Sequence, residues 1–194
     1  MIPFSQDLST VIPFDLDDLL DVSQVTIITQ APVEDNYVHK ASLPPSVLNP
    51  KFLDYLEQRD LDIEKIVVWH WLTKNPHIAH IDSNQYGVVL PSAINWTLTS
   101  TNSRVQFYDL PNVKKVVMQS NEASAEWTTN NLTSYIPIDV SGIDPVDIWD
   151  TKGPCLINTS VPHLVVAPEI RTSVSLQLKN PRSFDVILEK IVNG

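Results

Sequence analysis

Fifteen prolines against only four glycines in 194 residues set the first limits on the fold. Proline removes a backbone donor and clashes with the preceding helical turn, so frequent prolines cut a chain into short elements. The scarcity of glycine leaves little material for phosphate-cradling loops, and neither a Walker nor a dinucleotide fingerprint occurs. Hydrophobic residues make up 43% of the chain and charged ones 19%. That suffices for a packed core and is too little charge for an acidic disordered chain. The length fits a single domain, 1–194. A net charge of −10 argues against a surface that tracks nucleic-acid phosphates. No apolar run is long enough to span a membrane, and no basic region leads into an apolar stretch at the start. The expectation is a soluble, cytoplasmic protein without a membrane partner. The lone cysteine, Cys155, can neither close an intrachain disulfide nor form a zinc-type pair, and reads as an inert core residue.

The first 45 residues, with Pro at 3, 13, 32, 44 and 45, read as an irregular segment that could fold over a site as a lid. Within them Asp15–Leu20 suggests a helical turn and Val25–Thr29 a β-branched strand. A helix over about 50–59 is signalled by Asn49 as cap and Pro50 at the first helical position. Phe52, Leu53 and Leu56 then share one face, and Leu48 and Leu53 have the spacing of a hydrophobic staple. From residue 63 the pattern becomes β. Strands are expected at Lys65–Leu72, Pro91–Ser100, Arg104–Tyr108, Val113–Met118, Tyr135–Val140, Pro154–Thr159, His163–Val166 and Thr172–Leu178, parted by turn residues. Asp144–Asp147 suggests a capped helical turn, and Ser183–Val192 is compatible with strand or helix. Many short strands and few helices point to a mainly β fold of sandwich, barrel or jelly-roll type, with its core at 63–178.

The chemistry-bearing residues form two separated groups. In His80-Ile81-Asp82 an imidazole and a carboxylate lie two residues apart, and on an extended backbone both project from one side. About 80 residues on, Pro162-His163-Leu164-Val165 offers a second imidazole. Two histidines and one carboxylate make up the facial triad that holds Fe(II) with positions left open. Arg171 then enters a strand in which Arg171, Ser173, Ser175 and Gln177 alternate with Val174, Leu176 and Leu178. A guanidinium there can bind a carboxylate through two parallel hydrogen bonds. The same residues also fit a plainer picture, with His80 and Asp82 as a surface pair and Arg171 bridging to Glu169 or Asp185.

HxD, then PHxV, then RxS on a strand resembles the Fe(II)- and 2-oxoglutarate-dependent dioxygenase superfamily. The similarity runs over about Ile63–Leu178 and includes Ala93-Ile94-Asn95-Trp96 and Val105-Gln106-Phe107-Tyr108. That intervening pattern is similar to small phage and bacterial members related to aspartyl/asparaginyl β-hydroxylases. The resemblance implies a double-stranded β-helix, a jelly-roll, cupin-like fold. It implies His80, Asp82 and His163 as catalytic iron ligands, and Arg171, assisted by Ser173, as the anchor of the distal carboxylate of 2-oxoglutarate. The His163-to-Arg171 spacing, eight residues, is shorter than is usual for the superfamily. Tyr86, Asn95, Trp96 and Tyr108 are candidates to line the co-substrate pocket, or else core residues. The implied activity couples O2 and oxidative decarboxylation of 2-oxoglutarate to hydroxylation of an unactivated C–H in a small molecule or an amino-acid or peptide side chain. Two other readings stay open: a cupin-type metalloenzyme that does not use 2-oxoglutarate, and a non-catalytic jelly roll with a binding or structural role. His70, between Trp69 and Trp71, reads as a packed core residue, and His77 as an improbable helical partner of His80.

Overall fold

The computed structural model describes residues 4–14, 19–21, 23, 25, 38–71, 79–83, 89–99, 102–110, 134–150 and 153–194. They form a mainly β architecture of two antiparallel sheets and two helices. The strands are β1 (Ser5–Asp7), β2 (Val38–Leu43), β3 (Ile63–Trp71), β4 (His80–Ser83), β5 (Ala93–Thr97), β6 (Arg104–Phe107), β7 (Ser134–Pro137), β8 (Asp147–Asp150), β9 (Cys155–Ile157), β10 (His163–Val166) and β11 (Arg171–Leu178). The helices are α1 (Pro50–Glu57) and α2 (Phe184–Asn193). One sheet runs β1-β9-β5-β11-β3-β2 and the other β7-β4-β10-β6-β8. From β3 to β6, and again from β9 to β11, each strand lies in the opposite sheet from its predecessor.

Strand alternation decides what each face meets. On the outer face of the six-stranded sheet, Ile66 and Val68 of β3, Ile94 and Trp96 of β5, and Val174 and Leu176 of β11 are buried. They pack with Phe52 and Leu56 of α1 and Phe184, Ile187 and Ile191 of α2. Each such side chain contributes about 1.5–3 kcal/mol by leaving water. The Asn49 side chain accepts from the Lys51 N–H at 2.9 Å, so the cap is made as the sequence suggests. Between the two sheets lies a smaller apolar cluster of Val105, Phe107, Trp149, Cys155 and Ile157. It fills the space between β9, β6 and β8.

Several expectations are revised. The N-terminal stretch supplies the two outermost strands of the six-stranded sheet, β1 on β9 and β2 on β3. Leu8, Ile12, Leu19 and Leu20 are buried in the helix-side core. The described parts of 1–45 are therefore built into the sheet and its outer core and, through Phe4 stacked on Phe107, into the apolar cluster between the sheets. Val25 is helical rather than extended, while 26–29, Asp15–Asp18 and the strand expected at Val113–Met118 lie outside the described residues. Asp144–Asp147 is not a helical turn: Asp147 opens β8, where Trp149 turns inward between two exposed neighbours. The ambiguous C-terminal segment is helix α2, because Phe184, Ile187 and Ile191 recur at helical spacing and bury together.

Cys155 is fully buried, its Sγ donates to the Leu156 carbonyl at 3.4 Å, and burial pushes its thiol well above the ordinary range. A thiol held neutral and out of contact with solvent is unreactive. Ellman's reagent should label no cysteine in the native protein and one after unfolding; prompt labelling of the native state would contradict the packing. Among the described residues no helix is long and apolar enough to cross a membrane.

Candidate metal centre

β4 and β10 meet at a single residue pair, His80 opposite His163. Their neighbours on either side pair along the whole strand, β4 with β7 and β10 with β6. This one pair sets the two imidazoles side by side, with ring centroids 4.4 Å apart. Asp82, two residues beyond His80, projects from the same side, as the HxD spacing requires. Its Oδ1 lies 3.5 Å from His80 Nε2 and 3.9 Å from His163 Nε2. The Asp82 backbone is pinned in both directions. Its N–H donates to the Thr159 carbonyl at 3.0 Å, and its carbonyl accepts from Leu90 N–H at 2.9 Å. Thr159, itself buried, donates its hydroxyl to the Leu90 carbonyl at 2.7 Å and closes the loop.

All three potential donor atoms lie within 4.8 Å of one another, and this cluster can hold a metal ion. Donors about 2.0–2.2 Å from a metal sit roughly 3–3.5 Å apart, so the cluster has to draw in by about 1 Å to close on an ion. The freedom for that lies in His80 and Asp82, which are 21% and 28% exposed, whereas His163 is only 4% exposed. His163 is also oriented: its Nδ1 lies 3.0 Å from the Val161 carbonyl. A carbonyl can only accept, so Nδ1 carries the proton and Nε2 presents its lone pair to the cluster. Burial, and secondarily the nearby His80, push His163 down to about 4 against the opposing pull of Asp82, which keeps the ring neutral and ready to ligate.

Arg171 begins β11 on the other sheet and is 3% exposed. Its Nε donates to the Thr97 hydroxyl of β5 at 3.3 Å. Among the described residues no carboxylate lies within ion-pair distance of it, and desolvation alone draws its guanidinium down to about 10. The bridge to Glu169 or Asp185 is therefore not made, and Glu169 instead accepts from Asn102 at 3.3 Å. Ser173 is buried on the same face, opposite Thr97 in the strand register. Asn95 shares that face, and its Oδ1 is buried without a donor.

Trp96 does not join this group. Alternation along β5 turns it to the opposite face, where it is 1% exposed in the core beneath the helices, so the expectation that it lines a pocket with Asn95 is corrected. Tyr86 and His77 lie outside the described residues. Tyr108 is buried, its hydroxyl donating to Gln106 Oε1 at 3.1 Å. His70 is a packed residue on the helix side, its Nδ1 2.8 Å from the Thr172 hydroxyl. Thr97, Thr159 and Val161 were not singled out by sequence. Thr97 was within reach, two residues from Asn95 on the same face, but the other two act through backbone geometry that no side-chain pattern encodes.

No family model and no curated protein matches the chain. Among solved structures it is similar to E. coli ycfD, at 12% identity and a TM-score of 0.44, over 82% of this chain and 38% of that one. It is also similar to the vicilin from Solanum melongena, at 9% identity and a TM-score of 0.35, over 79% of this chain and 32% of that one. The chain thus spans well under half the length of either structure. Similarity this distant carries no functional weight, and the residues of the site have to supply the reading.

Proposed function

We propose that the chain is an Fe(II)- and 2-oxoglutarate-dependent oxygenase that hydroxylates an unactivated C–H bond, on a double-stranded β-helix. The alternation of strands between the two sheets supports that fold. The observation that carries the function is Arg171: a buried cation without a counter-ion among the described residues, on the inner face of the sheet opposite the one that bears the His80–Asp82–His163 cluster. An isolated charge is expensive to bury, and a fold that retains one is shaped for an anion from outside.

The donor set fits a divalent iron: the carboxylate offsets part of its charge, two imidazole nitrogens complete the set, and coordination positions stay free. Iron with 2-oxoglutarate and O2 would supply the oxidising power, the keto acid leaving as succinate and CO2. The chain's own residues do the positioning. His163 enters with its tautomer fixed by Val161, and Asp82 with its backbone clamped by Thr159 and Leu90. Thr97 occupies Arg171 Nε and leaves the terminal nitrogens to take a carboxylate in parallel. Ser173 and Asn95 add a donor and an unsatisfied acceptor on that face. The apolar cluster around Phe107 and Trp149 keeps water from the rest of the space between the sheets. A cytoplasmic location and a small-molecule or peptide substrate belong to the same reading.

The deciding experiment adds Fe(II) and then 2-oxoglutarate to the anaerobic protein and records the visible spectrum. A charge-transfer band should need both additions and be absent in Asp82→Ala. Retained metal without the band would favour a cupin-type enzyme that ignores the keto acid. Neither metal nor band would leave a non-catalytic binding or structural protein.

A further inference from the structure

A second cation faces the space beside the metal cluster. A cavity of about 250 Å³ has Asp82 in one wall, with Lys65, Ser175 and Gln177 in the wall across from it. Lys65 stands opposite Gln177, and Val67 opposite Ser175, in the β3–β11 register. Alternation with the fully buried Val67 puts Lys65 on the inner face, half-buried. At the rim Glu64 and Lys179 are exposed and opposite in sign. Among the described residues no carboxylate lies within ion-pair distance of Lys65. In a chain of net charge −10, a half-buried lysine without a carboxylate partner among the described residues is a local reversal of the surrounding field. Arg171 does not share this place, because it begins β11 while Ser175 and Gln177 lie toward its end.

We infer that this cavity is the substrate subsite and that the substrate is a small molecule bearing a carboxylate, held by Lys65. Ser175 and Gln177 supply neutral hydrogen bonds beside the ammonium, and the rest of the molecule extends toward the cluster at Asp82. The volume is below the roughly 300–1,000 Å³ of pockets for drug-sized ligands, which favours a free small acid over a peptide. The inference rests on the oxygenase reading and names the substrate class for it; Lys65 is a binding residue and takes no part in the redox step.

The test uses saturation-transfer NMR with propionate and propylammonium as probes, in an Arg171→Met background so that the other buried cation gives no signal. Propionate should receive saturation and propylammonium should not. Lys65→Met should cut the propionate signal at least about five-fold, while Lys65→Arg, which keeps the charge, should retain most of it. Equal signals in the methionine and parent proteins, or a preference for the amine, would overturn the subsite. Calorimetric titration of 2-oxoglutarate into the manganese-loaded protein separates the two cations. Lys65→Met should stay within about two-fold of the parent value with Arg171 intact. Loss of 2-oxoglutarate affinity on changing Lys65 but not Arg171 would make the lysine the co-substrate anchor and overturn the assignment. Failure of the oxygenase reading would show separately, as no uptake of manganese; a propionate signal that still needs Lys65 would then support the anion subsite alone.

Discussion

Arg171→Met should make the metal-free protein more stable and at the same time remove its affinity for 2-oxoglutarate. The guanidinium is 3% exposed, drawn down to about 10 by desolvation, and has only the Thr97 hydroxyl as a partner among the described residues. Methionine fills a similar volume without a charge to desolvate. Replacement of poorly compensated buried ions by apolar side chains is commonly stabilising by about 1–4 kcal/mol. For a chain of this size that corresponds to a rise in melting temperature of roughly 3–12 °C. The co-substrate, by contrast, loses its paired charge-assisted hydrogen bonds, and affinity should fall by about 100-fold or more. Differential scanning fluorimetry and calorimetry read the two effects independently. A variant less stable than the parent would mean that Arg171 holds the fold together, and the anchor assignment would fall with it.

His163→Ala should release the metal altogether. Loss of an outer partner of a metal ligand costs about 10–100-fold in affinity, so removal of the best-oriented ligand of three should exceed about 100-fold. Metal content after gel filtration measures this, with circular dichroism to verify folding. A variant that retains stoichiometric iron would end the triad assignment. The same burial makes the metal-free protein sensitive to acid. His163 is held at about 4 in the folded state against an ordinary value near 6.5, so the unfolded chain binds the proton more readily in between. The stability this group contributes is therefore complete above pH 6.5, falls as the pH drops through that value, and is lost by about pH 4. A gap of this size is worth about 3 kcal/mol. Urea melts at pH 7 and pH 4.5 should differ accordingly, and His163→Gln should flatten the difference.

Much of this site was legible in the sequence because strand periodicity is short and strict. His80 and Asp82 two residues apart, and Arg171 and Ser173 two residues apart, had to share faces once their segments were strands. Helix α1 was legible through Asn49 and Pro50, whose roles at a helix start are local. What escaped depends on partners far along the chain. Residues 5–7 and 38–43 have weak strand patterns and become strands because β9 and β3 offer them open edges. Trp96 was left between two places for a related reason: a large aromatic beside Asn95 suits a pocket wall or a core, and the helices packed on that side decide for the core. Asp144–Asp147 read as a capped turn because Asp and Pro dominate it, whereas pairing with β6 makes Asp147 the start of an extended strand.

The single residue pair joining β4 to β10 also has a mechanical meaning. It is a seam: the β4–β7 strand pair on one side and the β10–β6–β8 ribbon on the other touch, within the ladder, only where the two imidazoles stand. A cation gripped from both sides would act as a rivet across that seam, closing a chain loop between His80 and His163, 83 positions apart. Cross-links over loops this long restrict the unfolded chain strongly. Loading the ion should therefore slow amide exchange most in β4 and β7, which reach β10 within the ladder only through that pair.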